Sequence, residues 1–236
     1  MEKISVIVPV YNEEKTILEV IKGIREIKVK NASKEIIIID DFSTDGTRAI
    51  LKKIKGNFTK IFYHKKNMGK GAAIRTALKH ATGTIIAIQD ADLEYSPKNI
   101  ANLIVPILDG SSEVVYGSRF RGKKLMLSGK SKTPLPLHWI GNRVLTLITN
   151  LLYFSSITDM ETGNKIFKKG VIKGITLKAT RFDFEPEITA KILKRGCKIK
   201  ELPIDFNPRS FEEGKKITWR DGIKAAYYLL KYRFFD

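Results

Sequence analysis

The chain has 236 residues, and 43% of them are hydrophobic, which is enough for one sizeable core. Its formal net charge of +18 is extreme for this length and favours polyanionic partners: nucleic acid, an anionic membrane surface or phosphorylated substrates. A lysine-rich surface suited to high temperature is the alternative origin of such a charge. The single cysteine, Cys197, excludes an intramolecular disulfide and is typical of a reducing compartment.

The sequence starts directly in a strand pattern, without the hydrophobic region of a signal peptide. Its longest apolar stretch, 144–154, is too short to cross a bilayer. We therefore expect a soluble, cytoplasmic protein.

The first half of the chain alternates β-branched runs with amphipathic segments. Strands are predicted at 4–10, 36–39, 61–63, 84–88 and 114–117, and helices at 15–27, 47–54, 71–81 and 97–109, the last with Ser96 as its N-cap. Apolar strands between amphipathic helices are typical of a mostly parallel sheet covered on both faces. The pattern predicts an α/β, Rossmann-like fold.

The pattern changes after residue 118. A loop rich in lysine, glycine and serine is predicted at 121–136, helices at 137–154, 185–195 and 218–234, and a strand at 198–206. No linker separates the two halves. We therefore predict a single domain with a specialised second part.

Polar residues follow four successive strands of the first half. They are Tyr11-Asn12-Glu13, Asp40-Asp41, Asn67-Met68-Gly69-Lys70-Gly71 and Asp90-Ala91-Asp92-Leu93-Glu94. In open parallel α/β sheets, ligands bind beyond the carboxyl ends of the strands. One such group is weak evidence, since aspartate and asparagine are ordinary turn residues, but four in succession indicate a binding site.

Asp90 and Asp92 stand at positions i and i+2, on the same side of an extended backbone. Two adjacent carboxylates without a counter-charge would repel each other, and one would take up a proton. Mg²⁺ or Mn²⁺ resolves this conflict, because such ions bind carboxylates together with substrate phosphates. The pair predicts a metal–diphosphate site; the alternative is a capped turn before the next helix.

Gly69-Lys70-Gly71 precedes a predicted helix, where exposed backbone N–H groups could approach an anion. Gly69 and Lys70 are therefore candidate substrate contacts. The dinucleotide fingerprint is not completed, because position 74 is isoleucine, and no nucleotide-triphosphatase loop motif is present.

Taken together, these segments resemble family 2 glycosyltransferases, especially the dolichyl-phosphate mannose synthase branch and its bacterial polyprenyl-phosphate relatives. In the first half the likeness lies in Val8-Pro9-Val10-Tyr11-Asn12-Glu13, Asp40-Asp41-x-Ser43-x-Asp45-Gly46-Thr47, Asn67-x-Gly69-Lys70-Gly71 and Asp90-Ala91-Asp92. In the second half it lies in Gly117-Ser118-Arg119-Phe120, Asp159-x-x-Thr162-Gly163-x-Lys165-x-Phe167, Phe184-Glu185-Pro186-Glu187-Ile188 and Glu213-Gly214-Lys215-Lys216-Ile217.

The resemblance implies a GT-A fold and an inverting, metal-dependent transfer of a hexose from a nucleotide-diphosphate sugar to dolichyl or polyprenyl phosphate. It divides the single domain into a nucleotide-sugar-binding half, 1–117, an acceptor-binding half, 118–217, and an amphipathic C-terminal helix, 218–236. The donor base and sugar stay open among GDP-mannose, UDP-glucose and UDP-N-acetylglucosamine.

The resemblance also implies roles by position. The nucleoside would be held by Pro9, Tyr11, Glu13 and Asp41, with Asp40 beside them. Asp90 and Asp92 would be the catalytic carboxylates that hold Mg²⁺ or Mn²⁺ and the diphosphate. Glu94 stands where the mannose synthases commonly have glutamine and would be a further metal ligand. Arg119 and Arg209 would be catalytic contacts of the acceptor or the diphosphate.

Transfer to a sugar hydroxyl normally needs a general base, and Asp183, Glu185 and Glu187 are candidates near a predicted helix start. The alternative is that these acids complement the helix dipole. A phosphate monoester acceptor is already largely ionised at neutral pH, because its second pKa is about 6, and it needs cations instead of a base. The second half supplies Arg119, Arg121, Lys123, Lys124, Arg143, Lys165, Arg209, Lys215 and Lys216. Of the lysines, Lys215 is our candidate substrate contact.

The predicted helix 218–234 combines an apolar face containing Trp219, Tyr227 and Phe234 with basic residues, which is typical of an interfacial helix. Docking on the core and a dimer contact are the alternatives. We expect a peripheral protein on the cytoplasmic face of the membrane, attached by this surface or through a membrane-protein partner.

Two other functions are weighed against this one. A family 2 transferase acting on a soluble glycan or a protein would need a true catalytic base. A basic nucleic-acid-binding protein is disfavoured, because no recognised RNA- or DNA-binding motif is present and acids at the strand ends would repel a phosphate backbone.

Overall fold

A computed structural model describes residues 2–56, 58–122, 136–209 and 219–235. Its strands are β1 (Glu2–Val10), β2 (Ala32–Asp40), β3 (Thr59–Tyr63), β4 (Ile85–Ile88), β5 (Val114–Ser118), β6 (Lys165–Lys168) and β7 (Lys200–Pro203). Its helices are α1 (Ile17–Glu26), α2 (Thr47–Lys53), α3 (Lys70–His80), α4 (Asn99–Leu103), α5 (Val105–Leu108), α6 (Pro136–Tyr153), α7 (Phe184–Lys194) and α8 (Trp219–Phe234). None of these helices is long and apolar enough to cross a membrane.

The seven strands form one sheet in the order β3-β2-β1-β4-β6-β5-β7. Strand β1 pairs in parallel with both β2 and β4, so the direction in which the sheet grows reverses at β1. Only β6 runs antiparallel to its neighbours, β4 and β5. The carboxyl ends of β1 to β4 therefore lie at one edge, and the reversal at β1 marks where open α/β sheets bind ligands.

Successive side chains of β1 point to opposite faces of the sheet and contribute to the two main cores, one on each face. Ile4, Val6 and Val8 are buried on one face of the sheet in a cluster with residues of α1 and α4, whereas Ile7 is buried on the other face with residues of α3 and α7. Helices on both faces explain why the strands carry apolar residues almost without interruption. The predicted α/β architecture with a mostly parallel sheet is confirmed.

A third, smaller core joins α6, α7 and α8. It contains Leu145 and Tyr153 of α6, Ala190 of α7, and Leu229 of α8. The Tyr153 hydroxyl donates a hydrogen bond to the Leu229 carbonyl oxygen at 2.6 Å. The C-terminal helix is thus packed on the rest of the domain.

Two local predictions were wrong. The segment predicted as one helix at 97–109 forms two short helices that meet at Ile104, and Lys98 rather than Ser96 precedes the first. The pattern also missed β6, a four-residue strand with lysine at both ends. The division into donor and acceptor halves stays a prediction, since one sheet contains strands of both.

Candidate functional site

The carboxyl ends of β1, β2 and β4 open into a cavity of about 340 Å³, a size typical of ligand pockets. Most of the predicted site residues line it: Pro9, Tyr11, Glu13, Asp41, Gly69, Lys70, Asp90, Asp92, Glu94, Arg119 and Arg209. The predicted substrate contact Lys215 lies outside the described residues. Side chains that are far apart in sequence thus converge at the edge of the sheet that the strand-end pattern indicated.

Asp41 shapes the loop that follows β3. Its Oδ1 accepts a hydrogen bond from Met68 N at 2.8 Å and contacts His64 Nδ1 at 2.7 Å, while its Oδ2 accepts from Gly69 N at 2.6 Å. Both carboxylate oxygens are therefore occupied by the protein. The predicted nucleoside contact by Asp41 stays a prediction, and the structure adds a positioning role and the partner His64.

Asp40 lies behind the cavity instead of lining it. Its carboxylate is fully buried and accepts a hydrogen bond from Arg48 Nε at 2.6 Å and from the Ser43 backbone N–H at 3.3 Å. The side chain therefore holds the turn after β2. The predicted substrate contact by Asp40 stays a prediction, and the structure adds this supporting role.

Two backbone N–H groups at the start of α3 are bound within the protein. Gly71 N donates to the Arg181 carbonyl at 3.1 Å, and Ala72 N donates to the Thr180 carbonyl at 3.0 Å. Gly69 has a φ of +90°, and a side chain there would collide with the same carbonyl of Thr180. The glycines allow the close approach of segment 179–181, and the contacts of Gly69 and Lys70 with a substrate stay predictions.

Lys70 joins two acids inside the cavity. Its Nζ lies 2.8 Å from Asp90 Oδ1 and 2.7 Å from Glu185 Oε1. Burial alone would lower the pKa of the Lys70 ammonium, but the two carboxylates outweigh burial and raise it. The side chain therefore stays charged and holds both acids in place.

The negative charge of the Asp92 carboxylate is only partly balanced by nearby positive charges. Burial, together with the nearby charges of Asp90 and Glu94, raises the pKa of Asp92 to about 7. A divalent cation beside this carboxylate would relieve the conflict, so the donor set of Asp90 and Asp92 fits Mg²⁺ or Mn²⁺ completed by substrate oxygens. Their role as metal ligands stays a prediction.

Glu94, the predicted third metal ligand, lines the cavity and has a partner within the protein. Within the described part of the chain, no three His, Cys, Asp or Glu side chains are grouped as a metal ion would require. Glu94 Oε1 instead accepts a hydrogen bond from the Arg209 backbone N–H at 2.8 Å. This bond fixes the segment after β7 against the β4 loop, and the role of Glu94 as a metal ligand stays a prediction.

The two predicted arginines both line the cavity and both have acidic partners. Arg209 Nη2 lies 2.9 Å from Glu13 Oε2 and also donates to the Asp92 carbonyl, so it joins the loops after β1 and β4. Arg119 binds Asp159 through Nε and Nη2, each at 2.7 Å, a bidentate geometry. Their contacts with the acceptor or the diphosphate stay predictions.

The three candidate bases have different surroundings. Asp183 accepts hydrogen bonds from the Thr180 and Arg181 amides, and Glu187 accepts from the Lys178 and Ala179 amides. These two acids hold the segment before α7. Of the three, only Glu185 lines the cavity.

Sequence reasoning did not assign a role to several cavity residues: Tyr95, Glu161, Gly163, Arg181 and Phe182. Burial and the neighbouring Glu185 raise the pKa of Glu161 to about 8. Neither Glu161 nor Arg181 follows a parallel strand, so the rule that located the other residues could not find them. Gly163 was present in the quoted motif, but only the structure shows that it lies against Asp90.

Solved structures with the same fold define the class of protein. Glucosyl-3-phosphoglycerate synthase from Mycobacterium tuberculosis, in complex with Mn²⁺, uridine diphosphate and phosphoglyceric acid, is similar with a TM-score of 0.73 and 20% identity. The similarity covers 100% of this chain and 80% of that one. The fold is therefore the GT-A fold of glycosyltransferases.

Sequence comparison then places the chain within that class. The family model Glycosyl transferase family 2 matches residues 5–176, so the chain belongs to glycosyl transferase family 2 and is a glycosyltransferase.

Two curated relatives are similar over most of their length. The UDP-N-acetylglucosamine–dolichyl-phosphate N-acetylglucosaminyltransferase of Methanococcus voltae is 32% identical, covering 96% of this chain and 94% of the relative. A dolichyl-phosphate beta-glucosyltransferase of Trichomonas vaginalis is 31% identical, covering 98% of this chain and 73% of the relative.

Proposed function

We propose that this protein is an inverting glycosyltransferase that moves a hexose from a nucleotide-diphosphate sugar to a polyprenyl phosphate of the dolichyl type, with Mg²⁺ or Mn²⁺ as cofactor. The observation that carries the proposal is the half-buried Asp90–Asp92 pair at the carboxyl end of β4, which lines a ligand-sized cavity. The named activities of the two relatives support the same acceptor.

The donor would lie across the carboxyl ends of β1, β2 and β4. Pro9, Tyr11 and Asp41 line the side on which the nucleoside is proposed to bind, and Asp90 and Asp92 line the diphosphate side. A divalent cation held by the two aspartates would supply positive charge for the leaving diphosphate. Lys70 keeps Asp90 and Glu185 in fixed positions, which preorganises the site before the donor enters.

The surroundings of the three bases that the sequence suggested favour a phosphate acceptor over a hydroxyl acceptor. Asp183 and Glu187 are hydrogen-bonded to backbone amides, and Glu185 is bound to the Lys70 ammonium. A polyprenyl phosphate brings an oxygen that is already ionised, so it can attack the anomeric carbon without giving up a proton to the protein. The attack would come from the face opposite the leaving diphosphate and invert the anomeric centre.

The proposal is tested by direct transfer. Purified protein is incubated with radiolabelled UDP-N-acetylglucosamine, UDP-glucose or GDP-mannose and a polyprenyl phosphate, with Mn²⁺ or with chelator. We expect label in the organic phase for one of these donors, and only with the metal. A soluble sugar or peptide acceptor is run in parallel, and exclusive transfer to it would overturn the lipid acceptor.

Asp92→Asn should reduce the transfer rate by at least about 100-fold, since the carboxylate that would bind the divalent cation is lost while the side-chain volume is kept. Asp109→Asn is the matched control, because Asp109 is an exposed acid after α5 and does not line the cavity. Full metal-dependent activity in Asp92→Asn would contradict the role of this residue.

A further inference from the structure

Two stripes of exposed apolar side chains follow neighbouring helices. On α6 and the residue after it, they are Ile140, Val144, Leu147, Leu151 and Phe154, which are 45–86% exposed. On α8 and the residue after it, they are Ile223, Tyr227, Leu230, Phe234 and Phe235, which are 47–82% exposed. Apart from Phe235, which directly follows Phe234, the residues are spaced by three or four positions, which places those within each helix on one side of it. We call these ten residues the apolar face.

The apolar face is a concentration of exposed hydrophobic residues. Ten of the 16 large apolar side chains that are exposed in the described part of the chain belong to it, so they are not scattered singly. The opposite sides of the same helices are already buried in the third core, through Leu145 and Tyr153 on α6 and Leu229 and Tyr232 on α8. Packing of these helices within the domain therefore does not explain why their exposed sides are apolar.

The two stripes lie on helices that are joined near their C-terminal ends. Tyr153 of α6 donates to the Leu229 carbonyl of α8, and the Arg233 guanidinium lies 5.5 Å from the centre of the Phe154 ring. A partner that covers one helix at this end would therefore reach the other.

The charged residues of α6 and α8 indicate what kind of partner covers the apolar face. Arg143 is on α6, Lys224, Lys231 and Arg233 are on α8, α6 contains no acidic residue, and α8 contains only Asp221. A second copy of a chain with a net charge of +18 would bring the same positive charge to the contact and be repelled. An anionic bilayer matches both the positive charge and the exposed apolar side chains, since its headgroups attract lysine and arginine while its acyl boundary accepts apolar groups.

We propose that α6 and α8 together form a membrane-docking face that binds the surface of an anionic bilayer. The sequence pattern had indicated this role for the C-terminal helix alone. Near the start of α6, Trp139 makes an edge contact with the Phe120 ring at 5.9 Å, and the neighbouring Arg119 lines the cavity. Docking would hold this wall of the cavity near the bilayer.

The test is flotation of the purified protein with vesicles of phosphatidylglycerol and phosphatidylcholine, and with vesicles of phosphatidylcholine alone, in the absence of any sugar donor. We expect binding to the anionic vesicles. The pair Leu147→Gln and Leu151→Gln should weaken it by roughly tenfold or more, because each leucine loses its burial in the acyl boundary. Ile223→Gln with Leu230→Gln should do the same if both helices dock.

Leu18→Gln is the matched control, since Leu18 is an equally exposed leucine on α1. It should bind vesicles like the wild type. Equal binding by the α6 variant and the wild type would overturn the proposal for α6. A dimer that forms without vesicles and is dispersed by the same substitutions would show that a second copy covers the face. Because no donor is present, vesicle binding is judged separately from transfer activity.

A second observation concerns the cavity itself. Among the described residues, two buried side-chain oxygens have no hydrogen-bond partner, Glu161 Oε1 and Glu185 Oε2, and both residues line the cavity. Buried polar atoms are almost always paired, so these two oxygens indicate a missing donor group. Glu185 is joined through Lys70 to Asp90, which places it beside the proposed diphosphate position.

We infer that Glu161, together with Glu185, hydrogen-bonds hydroxyl groups of the transferred hexose and so determines which sugar is accepted. The inference rests on the proposed function, because the hexose is the part of the donor that adjoins the diphosphate. A hexose offers several hydroxyl groups in a fixed arrangement. A site built to pair with them discriminates strongly between sugars that differ at one position.

The test compares binding of UDP-N-acetylglucosamine, UDP-glucose and GDP-mannose with binding of UDP and GDP, by calorimetry. Glu161→Ala should weaken binding of the preferred nucleotide sugar about tenfold or more and leave its nucleoside diphosphate within about twofold. Glu161→Gln should recover part of the loss, since an amide oxygen still accepts. Glu19→Ala, at an exposed acid on α1, is the control.

Equal loss for the sugar and the free diphosphate would mean a structural role and overturn the inference, as would unchanged sugar binding. A wild-type protein that binds none of the three nucleotide sugars would instead overturn the proposed function.

Discussion

Glu35 shows how single buried residues hold this sheet together away from the cavity. Near the amino ends of β1, β2 and β4, its Oε1 accepts hydrogen bonds from Ser5 Oγ and Thr82 N, each at 2.7 Å, and its Oε2 lies 3.0 Å from Lys60 Nζ. Burial by itself would raise the pKa of Glu35, but these hydrogen bonds outweigh it and lower the pKa from 4.5 to about 2.

A folded-state pKa below the unfolded value stabilises the protein above pH 4.5, and this stabilisation is lost as the pH falls towards 2. Glu35→Gln removes the titrating group, so its free energy of unfolding should be lower at neutral pH and should change less on acidification. Urea denaturation at a series of pH values measures the difference. Glu19→Gln should keep the wild-type dependence, and parallel curves for wild type and Glu35→Gln would refute the expectation.

Gly163 is a second position at which a single added methyl group should disturb the cavity. A methyl group there would overlap Asp90 Oδ2 and lie 3.0 Å from Cε2 of Tyr95. Gly163→Ala should therefore displace the Asp90 carboxylate and lower the transfer rate by about 100-fold, the order expected for misplacing a catalytic group by an ångström. Gly141→Ala on α6, where the added methyl meets nothing within 4 Å, should leave the rate unchanged. Equal rates in both variants would count against this reading of Asp90.

At the scale of elements, α3 and the segment before α7 are held together by backbone contacts. The Gly71 and Ala72 amides bind the carbonyls of Arg181 and Thr180, and the next residue, Phe182, lines the cavity. The start of one helix thus positions a wall of the site built by another part of the chain.

Gly69→Ala should disrupt this contact. The residue has a φ of +90°, and a methyl group would collide with the Thr180 carbonyl, so we expect a loss of at least about 2 kcal/mol in the free energy of unfolding. Gly110 has a similar φ of +77°, and a methyl group added there would meet nothing within 4 Å. Gly110→Ala therefore measures the backbone strain alone and should lower the free energy of unfolding by about 1 kcal/mol. Chemical denaturation measures both, and equal losses would show that the contact with segment 179–181 contributes little.

On the scale of the whole molecule, a chain with a net charge of +18 concentrates its carboxylates where the substrate phosphates are proposed to bind. Acids there would repel the backbone of a nucleic acid, whereas a divalent cation would convert them into a diphosphate site. Metal-dependent nucleotide binding therefore separates a transferase from a basic nucleic-acid-binding protein.

We expect Mn²⁺ with UDP or GDP to stabilise the protein, whereas either component alone does so less. A nucleotide at one hundred times its Kd contributes about 2.7 kcal/mol, which raises Tm by roughly 5–10 °C for a chain of this size. Asp92→Asn should lose the metal-dependent part, and Asp109→Asn should keep it. Salt-sensitive retention of oligonucleotides together with no shift in Tm would contradict the expectation.

Most of the fold and the position of the cavity were predictable from sequence, because both depend on local patterns. Fully apolar runs such as 36–39 require burial on two faces, and polar residues directly after parallel strands must meet at one edge of the sheet. The two-sided parallel architecture, the metal-binding pair Asp90 and Asp92 as a hypothesis, and the amphipathic C-terminal helix all followed from such patterns.

What the sequence by itself determined was therefore which segments form elements and which polar groups lie at the strand ends. Only the tertiary structure decided which charges face the ligand, because a partner distant in the chain decides it. Arg119 is bound by Asp159, Glu94 is turned to the Arg209 amide, and Glu161 enters the cavity with an unpaired oxygen. Arg119 follows β5, and Asp159 and Glu161 precede β6, so their positions depend on the packing of β6 between β4 and β5, which no local pattern encodes.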